Sequence, residues 1–210
     1  MKKILPFFLL VLLLASCQKD PDMSKLSDDF VVFTNHDKAA KFDSYIKFYL
    51  PDSIMAIGNS ESHQYWKAAE AADILSTLAA NMEKRGYVWT DNKEEADLGL
   101  QVSYVESVNY FANYPSSPYW WDYSGYWWPG YWGPGWSGGW YYPYPIVYSY
   151  SVGSLLIDMV DLNAPARDSK LTVIWTAYMT GLLSGSNKIN TQLATRAIDQ
   201  AFVQSPYIKK

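Results

Sequence analysis

Gln64-Tyr-Trp-Lys-Ala-Ala-Glu-Ala-Ala-Asp-Ile-Leu-Ser-Thr-Leu-Ala-Ala-Asn-Met-Glu-Lys-Arg85, with Gly86-Tyr87-Val88-Trp89 directly after it, decides how this chain folds. Ala68, Ala71, Ala72, Leu75, Leu78, Ala79 and Met82 recur at helical spacing, while Lys67, Glu70, Asp73, Asn81 and Lys84 fall elsewhere on the wheel. The reading is an amphipathic helix over Gln64–Arg85. Ser60 or Ser62 can cap its start, and Lys84-Arg85 followed by Gly86 marks its end. An alanine-rich stripe has short side chains, so such a helix can approach a flat surface closely. The predicted partner is a β-sheet, and Tyr87-Val88-Trp89 is its nearest strand.

Working outward from the helix, strand patterns dominate. Phe30 to Thr34 is short, β-branched and aromatic, and Tyr45 to Leu50 alternates until Pro51-Asp52 stops it. Leu98, Leu100, Val102, Tyr104, Val108 and Tyr110 share one face of a strand over Leu98–Phe111, with Gln101 and Ser103 on the other and Glu106 interrupting. Val152 to Leu162 is apolar on both faces, as in an interior strand. After a turn over Asn163–Ser169, Leu171, Val173, Trp175, Ala177 and Met179 alternate with Thr172, Thr176, Tyr178 and Thr180. A second helix is predicted over Thr191–Val203 and stops before Pro206. The order β-β-α-β-β-insert-β-β-α predicts an α+β domain over residues 30–207: a mainly antiparallel or mixed β-sheet with two helices packed on one face. Leu75, Leu78, Leu156, Ile157, Val173 and Trp175 are the predicted core where the first helix meets the sheet.

The N-terminus states where the protein resides. Lys2-Lys3 precede the apolar run Ile4–Ala15, and twelve residues are too few to span a hydrocarbon core that needs about twenty. Residues 1–16 therefore read as an export signal. Leu14-Ala15-Ser16-Cys17 resembles the lipobox of bacterial lipoproteins, which implies cleavage before Cys17, acylation of its thiol and membrane attachment through the lipid. The location implied is the bacterial cell envelope, lipid-anchored in the outer membrane. Residues 17–29, with Asp20, Pro21, Asp22, Lys25, Asp28 and Asp29, have too little apolar surface to offset ordering and read as a tether. Gln18-Lys19-Asp20 resembles the surface-export signal of some Bacteroidetes lipoproteins and equally suits a plain polar linker, so the periplasmic or cell-surface side stays open.

Cys17 is the sole cysteine, which leaves no thiol for a disulfide, a metal site or a nucleophile once it is acylated. Without residues 1–16 the chain keeps fifteen basic against twenty-one acidic residues, a net charge of −6. That sign repels phosphate backbones and argues against nucleic acid as a partner. His36 and His63 are the only histidines and have no ligand spacing around them, so no metal and no cofactor is expected. Asp158 and Asp161 sit three apart on a strand and so face opposite ways, which prevents paired acid–base work from one surface. Asp158 shares the face of Leu156 and Val160 and is expected to be a buried structural carboxylate. Ser184-Gly185-Ser186 lacks the strand-to-helix setting of a nucleophile elbow. The chain is expected not to be an enzyme.

Residues 114–150 form an aromatic Trp/Tyr/Gly/Pro insertion with seven of the ten tryptophans, ten of the eighteen tyrosines, six prolines and six glycines. Asp122 is the only charged residue there, and no helical or strand period survives. Trp120, Trp121, Trp127, Trp128, Trp132, Trp136 and Trp140 are the candidate binding residues, because indoles stack on sugars and settle in the headgroup layer of a bilayer. Three readings stand: an insertion that folds back and shields a sheet edge, a glycan or ligand platform, and a contact surface for a membrane or an envelope protein. Polar partners for sugar hydroxyls are scarce, which favours a contact surface over a selective pocket. The segment is expected to be dispensable for folding.

Phe42, Tyr45 and Phe48, then the alanine-rich helix, Lys84-Arg-Gly-Tyr87, Ala96-Asp97-Leu98, Gly153-Ser-Leu-Leu-Ile-Asp158, Val173-Ile-Trp175 and a close from Phe202 to Pro206 occur in a telling order. Together they resemble the bacterial lipoproteins grouped as domain of unknown function 4136. The resemblance implies an envelope location and this α+β fold, and it supplies no catalytic residues. The function expected is a non-catalytic binding or structural module of the outer membrane. The alternative is an envelope-polysaccharide hydrolase or glycan-binding protein that uses the insertion as a platform.

Overall fold

Ile74, Leu78 and Met82 are withdrawn completely from solvent, and with Ala71 and Leu75 they form the stripe that lays the first helix on the sheet. The computed structural model describes residues 30–57, 64–66, 69–105, 139–146, 151–165, 170–183 and 189–210. These residues form β1 (Val31–His36), β2 (Lys47–Tyr49), β3 (Ile54–Ile57), β4 (Gln64–Trp66), α1 (Ala69–Lys84), β5 (Val88–Thr90), β6 (Leu98–Val105), β7 (Trp140–Tyr141), β8 (Leu155–Asp161), β9 (Leu171–Thr180) and α2 (Thr191–Gln204). The α+β class expected from the sequence is the one observed.

The helix starts later than the apolar periodicity implied. Gln64–Trp66 pairs antiparallel with β3, with Ile54 opposite Trp66, and α1 begins at Ala69. Ser60 and Ser62, its expected caps, lie outside the described residues, as does Ala68. Aromatic Tyr65 and Trp66 suit a strand edge, and β3 offers one. Ala72 is exposed and Ile74 takes its place in the stripe, because Ala72 stands about 100° round the helix from Ala71. The end of α1 follows the predicted Gly86. That residue takes φ 94°, Tyr87 N donates to Met82 O and Gly86 N to Glu83 O, which closes a Schellman motif.

The sheet is mixed, with strand order β1-β9-β8-β6-β2-β5. β3 extends the line of β2 along the same edge of β6, and both run parallel to it. β7 similarly lies on the outer edge of β9, beyond β1, with Trp140 opposite Leu171. Asn190 caps α2 by accepting from Gln192 N and Leu193 N. Arg85 holds the other end of α2 by donating to the carbonyls of Phe202, Ser205 and Ile208. Asn81 links the helices directly, donating to Asp199 Oδ1 at 2.7 Å.

Two apolar layers result, one on each face of the sheet. Leu75, Leu78, Ile157 and Trp175 belong to the helix layer as expected. Leu156 and Val173 are buried on the opposite face, with Trp140, Leu171 and Tyr178, so their predicted contact with α1 is corrected. The cause for Val173 is a β-bulge. Met159 pairs with Trp175 but Val160 pairs with Val173, which leaves Ile174 as an extra residue and reverses the phase of β9. Leu171 and Val173 therefore face away from the helices, whereas Trp175, Ala177 and Met179 face them.

Candidate functional site

The face opposite the helices is where polar chemistry collects. Gln101 pairs with Asp158, Asp158 with Thr176, and Thr176 with Asn35, so one row of polar residues crosses β6, β8, β9 and β1. Gln101, Asp158 and Thr176 are all at most 1% exposed. Thr176 Oγ1 donates to Asp158 Oδ1 at 2.6 Å, and Gln101 Nε2 donates to Ser103 Oγ at 3.2 Å. Asn35, at the end of the row, donates through Nδ2 to Pro145 O at 2.9 Å, which ties the aromatic stretch to β1. This row is a sealed structural network. Asp158 is the buried, hydrogen-bonded carboxylate that its position on the face of Leu156 and Val160 implied.

A second network lies at the end of the sheet where β8 begins. Tyr178 Oη accepts from Ser151 N at 3.0 Å and from Ser154 Oγ at 2.9 Å. Ser151 Oγ lies 2.6 Å from Thr180 Oγ1. Gly153, at φ 81°, makes the turn between them, and a Cβ there would sit 2.2 Å from Leu183 Cγ. These contacts fix where the aromatic stretch rejoins the sheet. The sequence reading missed them because their members are common residue types at no recognisable spacing.

Charged groups concentrate at the opposite end. Tyr45 Oη donates to Asp161 Oδ2 at 2.8 Å, and Asp161 Oδ1 accepts from Asn163 N and Ala164 N. Burial, reinforced by that carboxylate, pushes the Tyr45 hydroxyl well above its ordinary range. Burial also raises the Tyr87 hydroxyl to about 12, and it donates to Phe42 O. Asp97 accepts from Ile46 N, Lys47 N and Asn163 Nδ2, and thereby joins β2 to the end of β8. Burial acts to raise its pKa, but these hydrogen bonds outweigh it and hold the carboxyl below its usual range. An open cleft of about 470 Å³ lies here, lined by Asp37, Lys41, Tyr45, Asp161, Asn163 and Ile174.

Asp158 and Asp161 are kept apart by the sheet. Asp158 lies among the sealed residues of one face and Asp161 at the cleft, while Glu106 lies outside the described residues. His36 stacks on Tyr207 with ring centroids 3.7 Å apart, and burial followed by Lys38 lowers its pKa. His63 lies outside the described residues. Among the described residues no group of three or more His, Cys, Asp or Glu could hold a metal ion, and no helix is long and apolar enough to cross a membrane.

Trp140 requires a correction. It is expected from the sequence to present its indole to a partner, yet it is 1% exposed, paired in β7 and part of the second apolar layer with Met55, Ile57, Leu156 and Tyr178. The end of the aromatic stretch is thus part of the sheet, and removing it would remove core. Trp120, Trp121, Trp127, Trp128, Trp132 and Trp136 lie outside the described residues, and so does Cys17.

Residues 1–18 match the prokaryotic membrane lipoprotein lipid attachment site, so the class is that of bacterial envelope proteins anchored to a membrane through lipid. The chain belongs to the family described as Domain of unknown function (DUF4136), which it matches over residues 32–207. A crystal structure of a DUF4136 family protein from Bacteroides thetaiotaomicron VPI-5482 is 47% identical with a TM-score of 0.77, covering 87% of this chain and 99% of that one. A chain of the PelC dodecamer from Paraburkholderia phytofirmans aligns at 15% identity with a TM-score of 0.41, covering 86% of this chain and 99% of that one. No curated protein matches.

Proposed function

We propose that this chain is a non-catalytic lipoprotein of the outer membrane that serves the cell envelope as a binding or structural module. The observation that carries the reading is the pairing of a lipid attachment site with a domain in which Asp97, Asp158 and Asp161 serve the fold. Asp158 accepts from Thr176, Asp161 from Tyr45 and the backbone, and Asp97 from β2. Acid–base catalysis needs a carboxyl within reach of a substrate proton, and Asp158 is sealed while Asp97 is held ionised by its donors. The tryptophans of residues 120–136 are the partner-facing element, with a glycan or another envelope protein as their target, because indole faces stack on sugars and on other aromatics.

Cys17→Ser tests the anchor. Wild-type protein is expected in the outer-membrane band of a density gradient with a diacylglyceryl group on Cys17 by mass spectrometry, and the variant as uncut precursor or soluble protein. Two or more chains hold a protein on a bilayer, whereas one does so marginally. Recovery of the wild type with inner membranes, or without acyl chains, would refute the reading. Incubation with envelope polysaccharide is expected to release no new reducing ends; their release would establish the hydrolase instead.

A further inference from the structure

β1 and β8 run antiparallel to β9 and β6, so the start of β1, the end of β9, the start of β8 and the end of β6 come together at one end of the sheet. Val31 pairs there with Thr180, Met179 with Leu155, and Leu155 with Tyr104. Chain that follows Cys17 enters at this end through Val31, and the chain leading to the tryptophan-rich stretch leaves it after Val105. Three strand spacings separate the two points, about 14 Å.

The same end carries exposed apolar surface. Val31, Phe33 and Val152 are 49%, 48% and 42% exposed. They form one patch, because Phe33 stacks on Tyr178 at 6.3 Å, Tyr178 bonds Ser151, and Ser151 bonds Thr180 beside Val31. The described turns at this end, residues 151–154 and 181–183, hold no charged residue, and on the helix side Arg196 lies over the Phe30 ring at 5.3 Å, a cation suited to phosphate headgroups. The other end also exposes Ile46 and Val88, but there they stand among Asp37, Lys41, Asp43, Lys47, Glu95, Asp97 and Asp161, with Lys47 and Glu95 paired at 2.7 Å.

We infer that the Val31 end of the sheet seats on the bilayer to which Cys17 is anchored, burying Val31, Phe33 and Val152 in the headgroup layer. The inference rests on the lipid-anchor reading and adds an orientation to it. Val31 lies fourteen Cα steps from Cys17, a reach of at most about 50 Å. Seating the charged end would stretch that tether along the sheet, about 34 Å for the ten residues of β9, and press ionised groups towards hydrocarbon. Seating the Val31 end leaves the tether slack and withdraws three apolar side chains from water without pressing a cluster of carboxylates towards hydrocarbon. The acyl chains supply the affinity and the patch sets the tilt.

The test uses the full lipidated chain, in which acylation consumes the Cys17 thiol and a new cysteine is the only labelling site. Phe33→Cys, Val152→Cys and, at the charged end, Asn163→Cys would each carry an environment-sensitive fluorophore. The proteins would be reconstituted into phosphatidylethanolamine/phosphatidylglycerol vesicles with brominated acyl chains. Probes at 33 and 152 are expected to shift to the blue and be quenched, and the probe at 163 to stay as in water. Proteins that float with the vesicles but leave 33 and 152 as wet as 163, or that quench 163 instead, overturn the orientation and leave the anchor standing. Failure to float overturns both. Protection of 33 and 152 without vesicles, rising with protein concentration, assigns the patch to a second copy and overturns the inference. Val152 lies on an exposed turn, so it reports even if the Phe33 variant fails to fold.

Discussion

Replacing Trp140 with alanine measures whether the end of the aromatic stretch is structural. Its side chain is 1% exposed and belongs to the buried cluster of Met55, Ile57, Val105, Leu156, Val160, Leu171, Val173 and Tyr178. An indole of this kind buries 150–250 Å², which at about 25 cal/mol per Å² is an upper bound of about 4–6 kcal/mol. Measured truncations of buried aromatics run at roughly 3–5 kcal/mol, and we expect Trp140→Ala within that range. For a domain of this size about 2–4 °C is lost per kcal/mol, so the midpoint should fall by roughly 10 °C. Thermal and urea unfolding followed by far-UV circular dichroism avoids the signal of the other tryptophans. Trp89→Ala is the matched control, because Trp89 is 48% exposed and should change stability by about 0.5 kcal/mol or less. A loss below about 1 kcal/mol for Trp140→Ala would show that the second apolar layer does not depend on this stretch, and the placement of β7 would be wrong.

Leu78, fully buried between α1 and the sheet, should cost roughly 2–5 kcal/mol on truncation to alanine by urea unfolding, and a value under about 0.5 kcal/mol would move it to the surface. Gly153→Ala should destabilise by at least about 1–2 kcal/mol, since φ is 81° and the new Cβ meets Leu183 Cγ at 2.2 Å; adding Leu183→Ala should recover only the steric part. Hydrogen bonds hold the folded-state pKa of Asp97 below its ordinary carboxylate value, so its contribution is present above that ordinary value and lost as pH falls through the lower, folded one. Wild-type stability should therefore drop from about pH 5 into the acid range more steeply than that of Asp97→Asn, and parallel profiles would refute the assignment.

Much of this arrangement is written in the sequence at the scale of whole elements. Both helices announce themselves through an apolar stripe, one closed by Gly86 and the other opened by Asn190. β8 reads as interior because both of its faces are apolar, and Asp158 can be placed from its neighbours Leu156 and Val160. What stays hidden is what a window of residues cannot carry. β4 is three residues long and abuts a helix with a similar apolar content. One extra residue at Ile174 reverses the face of half a strand, yet a run of β-branched and aromatic residues looks the same with or without it. Trp140-Tyr141 is a two-residue strand inside a segment full of the same residues. The one local signal was Gly139 before it, whose φ of 86° turns the chain onto the edge of β9.

The row Gln101–Asp158–Thr176 explains why the second face tolerates polar residues in a sheet otherwise packed with aliphatics. Strand register on a sheet covered on both sides is weakly defined by hydrophobicity alone, because both faces of β8 are apolar. A slip of one residue would turn Asp158 towards Leu78, Ala197 and Ile198, where the helices present apolar groups. An ionised carboxylate placed there without donors would cost several kcal/mol, far more than any aliphatic swapped between faces. Paired with the Thr176 hydroxyl at 2.6 Å, the same carboxylate is accommodated in a single register.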